Sequence, residues 1–171
     1  MQDLSNAPTL TTERLILRGP QRDDLEAFTR FMTSAPSMIA QGETITAEQA
    51  WFGFLVGIGH WQWHGFGFFT VVERRTGLPV GRVGLLKHSD WPSEELAWHL
   101  FEGAEGKGLA TEAARAVKAW AFEALGLDQL HSYIDVTNTK SQAVARRLGA
   151  ATDGTRASHE PEAEVWVHAA P

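Results

Sequence analysis

The sequence predicts a mixed α/β fold, a mostly antiparallel central sheet with helices on both faces. Three observations lead there. Elements read in the order β-α-α-β-β-β-α-β-α-β-β along the chain. Three consecutive strands joined by short links precede a strand–helix–strand crossover, which forces at least one parallel pairing. No repeat, low-complexity tract or linker divides the 171 residues, so one domain over 1–171 is expected.

The first strand is 14–18, where Leu15 and Leu17 share a face. Asp23 and Asp24 suit the first turn of a helix, with a core stripe of Leu25, Phe28 and Met32 at helical spacing. Thr46-Ala-Glu-Gln49 has the form of a capping box and opens a second helix, with Trp51, Phe54, Leu55 and Ile58 as its buried face. The β-rich runs 65–74 and 78–86 flank Arg75-Thr76-Gly77 as a hairpin. A fourth strand covers 94–101, and a long helix over 106–125 stops at Gly126. A fifth strand over 131–136, a short helix over 141–148 and a last strand over 164–168, set to pair with 151–155, complete the order.

Composition narrows the function classes. A net charge of −6 argues against a broad nucleic-acid surface. The absence of cysteine excludes disulfides, thiolate metal sites and a cysteine nucleophile. Met1–Asn6 lacks the basic start and apolar core of a signal peptide, which makes the cytoplasm the expected location. The apolar run from Trp51 to Phe69 is long enough to span a bilayer, but Gly53, Gly57, Gly59, Gly65 and Gly67 with His60, Gln62 and His64 break it. It reads as a buried helix entering a buried strand, and no membrane partner is expected. His60 and His64 have i,i+4 spacing without a Glu beside them or a third ligand, so no metal site is expected.

The most informative segment is Glu105-Gly106-Lys107-Gly108-Leu109-Ala110, after a strand and before the long helix. Glycines let backbone approach a ligand closely. The helix start adds a partial positive charge, so the turn suits a pyrophosphate, with Lys107 at its rim. The same turn also serves as a plain strand-to-helix link. A dinucleotide fingerprint would need a glycine where Thr111 stands.

This segment resembles the acyl-CoA motif of the GNAT superfamily, Arg/Gln-x-x-Gly-x-Gly/Ala. Gly108 and Ala110 match it, while Glu105 stands at the Arg/Gln position. The run Gly106-Lys-Gly-Leu-Ala-Thr-Glu-Ala113 resembles the RimJ/RimL-type branch. So do Thr12-Glu-Arg-Leu-Ile-Leu-Arg18, Val80-Gly-Arg-Val-Gly84, Asn138-x-x-Ser141 and Arg147-Leu-Gly149, in the expected order. The resemblance spans roughly 12–155 and implies a GNAT acyl-CoA N-acyltransferase fold whose sheet is splayed between the fourth and fifth strands. Pantetheine would lie in the split against Leu96, Trp98 and Leu100. The pyrophosphate would sit on the amides of Glu105 to Thr111, and Asn138 would bond the pantetheine arm or shape its loop. Asn138 is equally suited to a turn or helix entry.

The implied reaction is N-acetylation of an amine by acetyl-CoA, without metal. An amine with a pKa of about 8 to 10 must lose a proton before it attacks. Glu95 is the candidate base, because alternation sets Glu95, Ala97 and His99 on the face opposite Leu96, Trp98 and Leu100. A solvated strand-end glutamate is the alternative, and His99 is the rival base or an acceptor-binding residue. Ser141 is the candidate proton donor to the thiol, where many relatives have a tyrosine. The chain's one tyrosine, Tyr133, reads as a packing residue, and His131 as a possible helper. Trp61 and Trp63 are the candidate aromatic walls of the acceptor site. The acceptor is expected to be a small-molecule or peptide amine. A catalytically inactive acyl-CoA-binding module is the alternative function. Only 22 residues follow Gly149, with Glu160, Glu162 and Glu164 clustered around Pro161, so the closing hairpin is expected either to be short or to have its second strand completed by a partner subunit in a homodimer.

Overall fold

A computed structural model describes residues 4–34 and 45–170 of the chain. Met1 to Asp3, part of the segment read for a signal peptide, lie outside them. Seven strands form one sheet in chain order: β1 Leu10–Thr11, β2 Leu15–Arg18, β3 Phe68–Glu73, β4 Pro79–Leu86, β5 Glu95–Leu100, β6 Gln129–Asp135 and β7 Ala163–Ala169. The helices are α1 Leu25–Ser34, α2 Ala47–His64, α3 Leu109–Leu125 and α4 Thr139–Arg147, with a 3-10 turn at Arg22–Asp24 before α1. β1 is a short addition that two residues of sequence do not reveal.

Pairing is antiparallel except between β5 and β6. That parallel pair meets only at Glu95 and His131, where the His131 N–H donates to Glu94 O at 2.9 Å. One residue on, a side chain replaces the ladder: Ser132 Oγ donates to Leu96 O at 2.6 Å. His168 of β7 faces the same hydroxyl with Nε2 at 2.9 Å. Because the serine proton goes to Leu96, that imidazole nitrogen is the donor. Burial holds His168 down at about 4, with Lys118 and His131 nearby adding to the fall, so it stays neutral. Beyond Leu96 the two strands part.

The larger core lies on the α3 face, where Leu15, Leu17, Phe69, Val83, Leu96 and Val117 are fully buried. A smaller cluster of Phe28, Ala50 and Phe54 packs between α1 and α2. Thr46 caps α2 as expected: its Oγ1 accepts from the Gln49 N–H and the Gln49 side chain accepts from the Thr46 N–H. The expected buried face of α2 is only half right. Phe54 is buried, but Trp51 and Leu55 are exposed, together with Phe52 and Val56. The helix is apolar all round, so periodicity does not select a side.

β7 pairs with β6 over its whole length, from Gln129↔Ala169 to Asp135↔Ala163. The stretch expected to be its partner, 151–155, meets β7 through one isolated bridge, Ala151↔Val167, and a bond from the Val165 N–H to Thr155 O at 2.9 Å, with a second bridge, Arg156↔Glu164, just beyond it. The closing strand is therefore completed within the chain, which removes the reason for expecting a partner subunit there. No helix among the described residues is long and apolar enough to cross a membrane.

Candidate active site

The turn from β5 into α3 is built on left-handed glycines: φ is +79° at Gly103 and +75° at both Gly106 and Gly108, the last being the N-cap of α3. Side chains with a Cβ resist this region, so these positions need glycine. The first intrahelical bond runs from the Glu112 N–H to Gly108 O, leaving the amides of Leu109, Ala110 and Thr111 ahead of it. Arg14 braces the turn. Its Nη1 donates to Lys107 O at 2.9 Å, and its Nε donates to Glu112, which also accepts from Thr12 Oγ1 and the Arg14 N–H. Lys107 Nζ is turned back onto Gly103 O at 2.7 Å. Glu105, in place of the usual Arg or Gln, forms an exposed ion pair with Lys140 of α4 at 2.6 Å.

Across the split, Asn138 Oδ1 accepts from the Ser141 N–H at 3.0 Å and so caps α4. Trp98 Nε1 reaches Ser141 Oγ at 3.3 Å, leaving the serine hydroxyl proton for another acceptor. Leu96 is buried and Leu100 packs at the edge of the main core. Open strand edge, glycine turn and helix start together fit an acyl-CoA: unpaired backbone for an amide-bearing arm and oriented N–H groups for a pyrophosphate.

The opposite face of β5 carries Glu95. Its carboxyl lies where β5 and β6 separate, beside His131 and Tyr133 on the same face. Burial pushes it up to about 7 against a hydrogen bond from the Tyr133 backbone, and Glu160 adds to the rise. Tyr133 is pushed up to about 12 by burial and by Glu95 and Glu94, so its hydroxyl stays protonated. Next to it a cavity of about 230 Å³ is walled by Pro92, His131, Tyr133, Arg156, His159 and Val165. His159 stacks on Trp91 at 4.6 Å between centroids and meets Tyr133 edge-on at 4.4 Å. Both His159 ring nitrogens are buried without a hydrogen-bond partner among the described residues.

Other sequence candidates fall elsewhere. Trp61 belongs to the core: it is 2% exposed and its Nε1 donates to Phe68 O at 2.9 Å, so it does not wall an acceptor site. Trp63 is 84% exposed at the end of α2. His99 Nδ1 accepts from Arg82 Nε at 3.0 Å, and burial holds the imidazole far below its usual range, with the guanidinium adding to the effect. Its basic nitrogen is thus occupied. His60 is held by backbone, Nδ1 on Phe66 O and Nε2 on the Lys87 N–H. Trp91, His159 and the cleft position of Tyr133 were missed in the sequence. The first two lie in loops without periodicity. Tyr133 alternates correctly for this face, but only the β5–β6 register puts it beside Glu95.

Comparison with known proteins agrees with this geometry. The model of the GNAT acetyltransferase domain matches residues 14–151. An acetyltransferase from Agrobacterium tumefaciens strain C58 is 37% identical, with a TM-score of 0.86 and 95% of each chain covered. The uncharacterized N-acetyltransferase YnaD of Bacillus subtilis strain 168 is 22% identical over 157 residues, 92% of this chain and 91% of YnaD. RimL, a ribosomal L7/L12 α-N-protein acetyltransferase solved with coenzyme A, is 14% identical with a TM-score of 0.77, covering 95% of this chain and 98% of its own, a likeness of fold. The chain belongs to the GNAT acetyltransferase family, enzymes that take their acyl group from acetyl-CoA.

Proposed function

We propose that this enzyme, as a single cytoplasmic domain, moves the acetyl group of acetyl-CoA to a primary amine. The acceptor is the N-terminal α-amine of a peptide or the amine of a small molecule, and Glu95 is the general base. The observation that carries this reading is the half-buried Glu95 carboxyl at the parting of β5 and β6, with its pKa near neutrality and an aromatic cavity alongside. An acid of that strength is half ionised near neutral pH and can accept a proton from an ammonium group. Glu95 with Glu160 near it brings negative charge to this end of the cleft, while Lys87 pairs with Glu94 at 3.8 Å and Arg156 lines the cavity; the ring faces of Trp91 and Tyr133 favour a cation.

The amine nitrogen bonds to the acyl carbon, the carbon–sulfur bond breaks, and the amine proton passes to Glu95. Ser141 relays a proton from water to the sulfur, giving up its hydroxyl proton as it takes one from solvent; the hydroxyl proton left free by its Trp98 contact supports that role. The amides of Leu109, Ala110 and Thr111 would hold the pyrophosphate, and the open edge of β5 would pair with the pantetheine arm. Calorimetric titration with acetyl-CoA, with NADH as control, followed by a thiol-release screen of amines and peptides, tests the proposal. Micromolar acetyl-CoA binding with turnover of at least one amine class is expected. Failure to bind acetyl-CoA would sink it.

A further inference from the structure

On the acceptor side of the sheet, well along from Glu95, lies a cation without a counter-charge among the described residues. Arg82 of β4 stands opposite His99 of β5, while Leu86 stands opposite Glu95. Its guanidinium carbon sits 4.8 Å from the Phe28 ring centre and 4.4 Å from that of Phe68. Nε donates to His99 Nδ1, and Nη2 reaches only the Met32 sulfur at 3.8 Å. Among the described residues no carboxylate pairs with it. Asp24, which shares its cavity, is taken up by Arg18 at 2.7 and 2.8 Å, the Gln21 N–H and Thr70.

Burial lowers Arg82 to about 10, which still leaves it charged at neutral pH. Arg82 is half-buried, and a guanidinium with five N–H donors is costly to hold partly out of water with no acid beside it. The cavity it lines holds about 40 Å³, room for a carboxylate, and Gly57 of α2 borders it where a larger side chain would intrude. Along this face of β5 only Ala97 separates Glu95 from His99, and its neighbour on β4 is Gly84. Four strand residues span about 13 Å.

We propose that Arg82 anchors a carboxylate of the acceptor, so that the substrate class is a zwitterion. It carries its amine at Glu95 and its carboxylate some 10–13 Å away, as in a short peptide or a long ω-amino acid. This rests on the acetyltransferase reading above. His99 is the positioning residue: by accepting from Nε it orients the fork, leaving Nη1 for the ligand.

The test compares ω-amino acids of four to ten carbons with the matching ω-amino amides in a thiol-release assay. The wild-type enzyme is expected to prefer the acid at least tenfold in kcat/KM at one chain length, mainly through KM. In Arg82→Met the acids fall to the level of the amides, and Arg82→Lys keeps part of the preference. Equal use of acids and amides at every length overturns the anchor, as does a preference that survives Arg82→Met. So does the absence of acid turnover and of acid binding to the CoA-loaded protein. The acid–amide comparison on the wild type and Arg82→Lys decides the matter if the methionine variant does not fold. Acetyl-CoA titration separates the two failures: intact binding without an acid preference removes only the anchor, whereas no binding removes the acetyltransferase reading.

Discussion

Replacing Glu95 by glutamine sets stability against catalysis in a way the structure quantifies. Burial raises the carboxyl from 4.5 to about 7. At 1.36 kcal/mol per unit, ionising Glu95 in the folded protein costs about 3 kcal/mol more than in the unfolded chain. The folded-state pKa is the raised one, so the stabilisation is complete below pH ~4.5 and is lost as pH climbs to about 7. Glutamine cannot ionise, and its carbonyl still accepts from the Tyr133 N–H. Glu95→Gln is therefore expected to match the wild type near pH 4.5 and exceed it by up to about 3 kcal/mol at pH 8. For a chain of this size that is roughly 6–12 °C in Tm. Turnover should fall by about 10²–10⁴-fold, with acetyl-CoA affinity retained, and the wild-type rise of kcat/KM toward pH ~7 should vanish. Thermal unfolding of both proteins from pH 4.5 to 8, alongside pH–rate profiles, reads every part. A stability difference that does not change with pH would refute the argument, because Glu95 would then titrate as an ordinary surface glutamate.

Three further substitutions probe other parts of the molecule. Gly108→Trp puts a bulky side chain at φ +75° in the turn before α3 and should weaken acetyl-CoA binding more than about tenfold by calorimetry, with the circular dichroism unchanged. Ser132→Ala strips a hydrogen bond from Leu96 O and the partner from His168 Nε2 at the parting of the strands, and should cost about 1–3 kcal/mol in urea unfolding. Gly59→Ala adds a Cβ that meets nothing within 4 Å in the middle of α2, and should stabilise by about 0.5–1 kcal/mol in the same assay.

What the chain announces locally was legible in it. The Thr46–Gln49 cap, the hairpin around Gly77, the glycine turn at 106–108 and the alternation that turns Glu95 away from Leu96 depend on neighbours a few residues apart, and each is found in the fold. The ordered motifs pointed to the family for the same reason. Where the signal is ambiguous it misleads: α2 is apolar on every side, so spacing assigns Trp51 and Leu55 to the core while Ala50, Phe54 and Trp61 hold it. Asn138 makes the helix cap that is one of its two readings, and a cap through Oδ1 leaves its side-chain amide for the other.

Tertiary structure alone decided the rest, because it turns on contacts between distant segments. Ser132 meets Leu96 across 36 positions and marks where the sheet opens. The single parallel register of Glu95 with His131 brings Tyr133 to the carboxyl, and the loops carrying Trp91 and His159 close on them. Arg82 shows the same rule: in sequence it is one arginine among the strand residues, and only the packing of α1 against β4 and β5 reveals a half-buried charge with no acid beside it among the described residues. Periodicity and capping are short-range and can be read from the chain, whereas desolvation and charge pairing depend on what folding brings near.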